Sequence, residues 1–368
     1  MLANTTLRVL VFLSAISLVA LVSVAQHPTN TDSSISSPGD FTPDDSYFNA
    51  PMMPEEVLST YECGGDYCAP RCCYNYCCDP SRTWTFRAGA IFLHRSQPNS
   101  QPLFTDSTGS GINANGFNPG WGSGVDASLI RHRAFGTNND LELRYFGIDN
   151  WTDSQSMRLN GTPVTIQNNP PTSVAGGRDV NSQYSLSLLN TELNMRRRVA
   201  NNWTFIGGLR YLQLNEQLNS QLTNGPVPGD DHHYNVAALN DLFGVQAGLM
   251  YDVCSSCDCC VQLYGKAGIY ANHAAQHTSL NCFCAPLMTF SANGSTTQAA
   301  SVGDFGITGS KRIWKNLALR GGYQVLILDG VATAPGQFPV TNLVSQSGLG
   351  NNNTVLFHGA TIGLELTY

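Results

Sequence analysis

The chain has 368 residues and a formal net charge of −7, yet only 12% of its residues are charged, against about 25% in ordinary soluble domains. From Arg71 onward, 18 basic and 18 acidic residues cancel, so no basic surface is available for nucleic acid. Beyond the N-terminus no apolar run reaches the length of a membrane-spanning helix.

The N-terminal segment has the pattern of an export signal. Arg8 precedes an almost wholly apolar run from Val9 to Val24, and Ser23-Val24-Ala25 is a small-x-small cleavage site before Gln26. Residues 1–25 are read as a signal peptide. Residues 26–60 are rich in Ser, Asp and Pro, carry no apolar period, and are expected to be a disordered acidic linker. Asp32, Asp40, Asp44, Asp45, Glu55, Glu56, Glu62 and Asp66 lie before Pro70 with no Lys or Arg among them. Residues 61–82 form a Cys-rich neck with Cys63, Cys68, Cys72, Cys73, Cys77 and Cys78.

From Thr83 the texture becomes alternating, with period two, as in strands. Trp84, Phe86, Ala88, Ala90 and Phe92 share one face, opposite Thr85, Arg87 and Gly89. The same alternation recurs around Val125–Leu129, Leu141–Tyr145, Leu189–Met195, Trp203–Tyr211, Phe243–Tyr251, Val261–Ile269, Phe305–Ile307, Leu317–Ile327 and Ala360–Tyr368. Ten strands result. Short turns are expected near 136–139, 200–202, 254–259 and 312–316, and long loops near 96–121, 151–180, 219–236, 274–299 and 330–353. This alternation of short and long connections, with one greasy and one polar face per strand, predicts an all-β, antiparallel, up-and-down transmembrane β-barrel over residues 83–368. Trp84, Trp203, Trp314 and Tyr368 fall at the short-turn ends, where an aromatic girdle belongs.

The polar faces hold Arg87, Asp126, Glu142, Arg144, Glu192, Arg196, Arg210, Lys266, Asp304, Arg320 and Glu365. Buried charges require partners or water. Two readings use these residues equally: an ion-pair network filling a narrow barrel, or a charged constriction selecting small solutes.

Twelve cysteines in an exported chain imply disulfides. Besides the neck, the candidates are Cys254, Cys257, Cys259 and Cys260 in one short turn, and Cys282 and Cys284 on an outer loop. At least one bridge is expected between the neck and the turn. Zinc at the tight turn, or at His273, His277, Cys282 and Cys284, is the weaker alternative. No Cys-x-x-Cys-His stretch supports covalent haem, and no cofactor is expected.

The closing stretch, ending at Tyr368, resembles the C-terminal signal strand of bacterial outer-membrane β-barrels. Trp84 to Arg95, followed by Gln101-Pro102-Leu103, resembles the first strand of the beta-barrel porin-7 family of planctomycete-type outer-membrane proteins. The resemblance covers residues 83–368 without the double Trp associated with that family's first strand. It implies an outer-membrane location, with lipid, the barrel-assembly machinery and small solutes as partners, and transfers no catalytic residue. Asp230-Asp231-His232-His233, placed in the third outer loop, resembles the Asp and His of the omptin proteases, but no second Asp pair matches. His358 is the one His placed where a phospholipase would need it. A non-enzymatic barrel, porin-like or structural, is therefore expected. The alternatives are a hydrolase at the outer rim and a surface-binding protein using its long loops.

Overall fold

The computed structural model describes residues 83–368 except 137, 201, 257, 258, 284 and 285. The signal, linker and neck readings, including six of the cysteines, lie outside the described residues. Within them the chain is all-β. Fourteen strands pair antiparallel in two sheets, and no helix is long and apolar enough to cross a membrane.

Ten long strands make the large sheet: β1 (Trp84–Arg95), β4 (Trp121–Arg131), β5 (Asn139–Leu159), β8 (Arg178–Ala200), β9 (Trp203–Thr223), β10 (His232–Ser256), β11 (Cys259–Cys282), β12 (Met288–Arg312), β13 (Leu317–Val331) and β14 (Asn353–Thr367). They pair in the order β1-β14-β13-β12-β11-β10-β9-β8-β5-β4, and β1 also pairs with β4, so the order returns on itself. At the β1–β14 seam two inward glycines, Gly89 and Gly363, lie opposite each other. A Cβ on Gly89 would meet the Ile362 carbonyl oxygen at 2.2 Å, and one on Gly363 the Ala88 oxygen at 2.5 Å. The sheet curves too tightly there for any larger residue.

Each long strand keeps one alternation but changes its surroundings along its length. In β9 the outward residues are Trp203, Phe205 and Leu209 at one end, then Gln213, Asn215, Gln217, Asn219 and Gln221. Inward, the order reverses: Thr204 and Arg210 give way to Leu212, Leu214, Leu218 and Leu222, the last four fully buried. The pairing with β10 is continuous throughout, so no bulge produces the change. Strand β8 repeats it, with Glu192 and Arg196 inward near one end and Val180, Tyr184, Leu186 and Leu188 inward toward the other. The outward apolar belt lies near the end holding Trp84 and Tyr368, here the terminal end. The opposite, loop end is polar outside and apolar inside.

This reversal corrects the loop boundaries. The polar outward faces above the belt had suggested long loops at 219–236 and 274–299, but the connections there span only residues 224–231 and 283–287. His232 and His233 therefore begin β10, and His273 and His277 sit on β11, where they pair across to Thr297 and Asn293 on β12.

The longer connections fold inward or over the mouth. Strands β2 (Pro102–Asp106), β3 (Gly111–Asn113), β6 (Val164–Ile166) and β7 (Thr172–Val174) form a second sheet in the order β3-β2-β6-β7. It joins the loop after β1 to the loop after β5. Asp106 staples them: its carboxylate accepts from Thr108 N (2.9 Å), Thr108 Oγ1 (2.6 Å), Ser110 N (3.1 Å) and Gly161 N (2.8 Å). Leu103, Phe104, Val164 and Ile166 are fully buried beneath this lid, and Phe104 packs edge-on against Tyr234 and Phe338.

The facing assignment predicts different costs for the same substitution at two outward positions. Val245→Arg, in the apolar belt, should destabilise the protein by about 2–4 kcal/mol in lipid. Gln217→Arg, outward but above the belt, should stay within about 0.5 kcal/mol of wild type. Denaturant titrations of protein refolded into vesicles measure both; equal costs would overturn the assignment.

Candidate functional site

The eleven charged residues read from the sequence as inward-facing come together in the lower interior. Arg87 Nε donates to Glu365 Oε2 at 2.8 Å, and its Nη1 lies 3.6 Å from Glu142. Arg196 shares Glu142 (3.6 Å), and Arg320 shares Glu365 (3.4 Å). Deeper in, Lys266 Nζ bridges Glu192 (2.6 Å) and Asp304 (3.1 Å). Arg210 also reaches Asp304 at 3.2 Å, and Arg144 reaches Asp126 at 3.1 Å. Asn190, Asn194 and Gln246 donate further hydrogen bonds to Glu192. These residues come from all ten long strands, so the cluster exists only once the sheet is assembled. A cavity of about 100 Å³ remains beside this cluster, lined by several of its charged side chains together with apolar residues of the wall such as Ile206, Ile362 and Leu364.

Above the charges the interior is filled by protein. Residues 332–352, between β13 and β14, pack inside the ring, where Ala332, Ala334, Gln337, Phe338 and Thr341 are fully buried. Inward side chains of the wall satisfy the backbone of this plug, as buried peptide groups require. Asn240 accepts from Ala332 N and donates to Ala332 O, both at 2.7 Å. Gln276 donates to Gly348 O and Gln298 to Asn351 O, both at 2.6 Å. Glu216, fully buried, accepts from Ala334 N (3.0 Å) with one oxygen and from Arg95 Nη2 (2.9 Å) with the other. The plug and the Arg95–Glu216 pair were not anticipated from sequence. The available signal was Glu216, Asn240, Asn272 and Gln276 standing on otherwise apolar inward faces.

Two other clusters resemble chemistry. At the terminal end Thr85 Oγ1 meets His132 Nε2 at 2.8 Å, and His132 Nδ1 meets Asp140 Oδ2 at 3.1 Å. Thr85 is only 4% exposed, so the hydroxyl has no access to a substrate, and the chain of bonds ties the β4–β5 connection to β1. At the loop end Asp230, His232 and Cys282 bring ligand atoms within 4.8 Å of one another. Arg178, fully buried, pairs with the Asp230 carboxylate, which is thereby occupied. Burial, joined by the Arg178 charge, holds the His232 imidazole below its usual range.

The cysteine expectations fare differently. Cys257 and Cys284 lie outside the described residues, as does the neck. Cys254 and Cys260 are directly opposite across the β10–β11 hairpin. Cys259 is a free thiol, and Cys282 is disulfide-bonded. No bridge joins two cysteines that both lie among the described residues, so the expected bridge between the neck and the turn is not shown.

No family model matches the chain, and no curated protein matches it, so the porin-7 resemblance is not supported. Solved structures do align. The outer-membrane protease OmpT from Escherichia coli shares 9% identity over 80% of this chain and 99% of its own, with a TM-score of 0.37. The toluene transporter TodX from P. putida shares 11% over 78% and 90%, with a TM-score of 0.27. An anion-selective porin from Comamonas acidovorans shares 10% over 78% and 99%, with a TM-score of 0.15.

Two outcomes follow from this geometry. Burial pushes the Asp140 carboxyl up, but the His132 hydrogen bond and charge, the Arg133 N–H and the Arg196 charge outweigh it and hold the group below the ordinary carboxylate range. A depressed folded-state value stabilises the fold above the unfolded pKa of about 3.9 and loses that stability as pH falls through the folded value. Asp140→Asn should therefore lower the melting temperature at neutral pH and flatten its fall in acid, as followed by thermal unfolding across a pH series. Glu216→Ala strands a buried Arg95 and should cost about 3–5 kcal/mol, with new protease cleavage within residues 332–352.

Proposed function

We propose that this protein is a non-conducting β-barrel of the bacterial outer membrane, whose filled interior supports a rigid outward lid. One observation carries this reading: the β13–β14 connection is packed inside the ring and hydrogen-bonded to its wall. An open pore would leave inward Leu212, Leu214, Leu218 and Leu222 facing water, at a cost of roughly 1.5–3 kcal/mol for each side chain. The ten long strands cross the bilayer through the outward apolar belt. From Trp203 to Tyr211 this spans nine residues, within the roughly 9–11 a tilted membrane strand needs. Trp84, Trp203, Trp314 and Tyr368 mark the periplasmic interface; Trp121, Tyr211 and Tyr323 mark the outer one. Lipid and the assembly machinery are its general partners.

The lid and the polar strand extensions are the parts offered to the outside, so surface binding or structural support is favoured over solute passage. Catalysis at the rim is disfavoured because Asp230, the candidate base, is committed to Arg178. Planar-bilayer recordings of the purified chain should show no stepwise conductance. Replacing residues 333–350 with a short Gly-Ser linker should produce discrete steps. Conductance by the intact chain would sink the proposal, and cleavage of a peptide or lipid panel would favour the rim hydrolase.

A further inference from the structure

We propose that the lower cavity is a binding site for one small inorganic anion, chloride or a phosphate-type oxyanion. Three observations converge on it. First, the cavity wall is rich in cations: Arg87, Arg144, Arg196, Lys266 and Arg320 line it, against Asp126 and Glu142. Second, the other carboxylates that pair with these cations, Glu192, Asp304 and Glu365, do not line the cavity. A buried space lined mainly by cations favours an anion.

Third, the unsatisfied groups that line the cavity have the right sense. Arg196 Nε and Gln324 Nε2 are buried, and neither meets an acceptor among the described residues. Both side chains line the cavity and are about nine-tenths buried or more. Both unsatisfied atoms are donors. Gln324 is held in this orientation because its oxygen accepts from Arg144 Nη2 at 2.9 Å, which turns the amide N–H group toward the space. Arg196 Nη1 is on Glu142 at 3.6 Å and Nη2 faces Met250 Sδ at 3.6 Å, leaving Nε for a ligand. Arg320 is fixed by Thr308 Oγ1 at 3.1 Å and adds charge without needing to move. A neutral polar ligand would satisfy the donors but not the charge; a cation would satisfy neither. With about 100 Å³ available, against about 10–15 Å³ for one water by the same measure, an anion the size of chloride or phosphate fits.

The site rests on the plugged-barrel reading in one respect: beneath the plug the anion resides in the pocket instead of passing through. The test is calorimetric titration of the full chain, refolded in detergent, with sodium chloride and with sodium phosphate against sodium gluconate at matched ionic strength. Saturable heat at one site per chain is expected with chloride or phosphate and none with gluconate. Arg196→Gln and Gln324→Leu should each weaken binding about tenfold or more, while Arg158→Gln at the loop end should not. Gln324→Leu alters no charge and serves if Arg196→Gln does not fold. Absence of saturable heat with both small anions, or unchanged affinity in Gln324→Leu, overturns the site. Conductance by a chain that still binds the anion overturns only the plug.

Discussion

A strand must place successive side chains on opposite faces, and here that fixed alternation meets surroundings that change along the strand. Near the terminal end the outside is apolar and the inside charged; near the loop end the outside is polar and the inside apolar. Strands β8 and β9 accommodate both by exchanging which face holds the hydrophobic residues, and their mutual register shifts only at Arg198/Ala200, next to the turn. Everything else depends on that exchange. An apolar inner wall has to be covered, and residues 332–352 and the lid cover it. A charged inner wall has to be neutralised, and the ion-pair cluster does so.

The two interior layers differ in what they contribute. The upper layer stabilises by removing Leu, Phe and Tyr side chains from water. The lower layer gains less, because the desolvation of its guanidiniums and carboxylates offsets most of their attraction. Its value lies in geometry. Glu192 receives Lys266, Asn190, Asn194 and Gln246 from β8, β10 and β11, so a strand shifted by one residue would strand several charges at once. The polar cluster thus helps set the register that the apolar layer then exploits.

The lower half was legible in sequence because its pattern is unambiguous. Phe205 and Leu209 against Arg210, or Ile362 and Leu364 against Glu365, admit one reading for a strand with lipid on one side. The upper half was harder. Leu212-Gln213-Leu214-Asn215 alternates just as well, but the phase that had marked the lipid face no longer applies, and polar residues such as His273 and Asn293 read as loop. The plug was not legible. Residues 332–352 have no apolar period, and the burial of Phe338 and Thr341 arises from enclosure by parts of the chain distant in sequence, Phe104 and Tyr234 among them, not from local pattern. Glu216 gave a hint, as a lone carboxylate among leucines whose partner Arg95 lies 121 residues away.

The seam between the first and last strands has a consequence for the order of assembly. Arg87 and Glu365, which meet across it, are 278 residues apart in the chain, so closing this seam closes the longest loops in the fold and is intrinsically slow. The segment that fills the interior is the one immediately before β14. Its backbone partners, Asn240, Gln276 and Gln298, lie on strands already connected by short hairpins. The chain can therefore lay the segment against a curved but open sheet and wrap β14 around it last. The contents of this vessel are put in place before its wall is sealed.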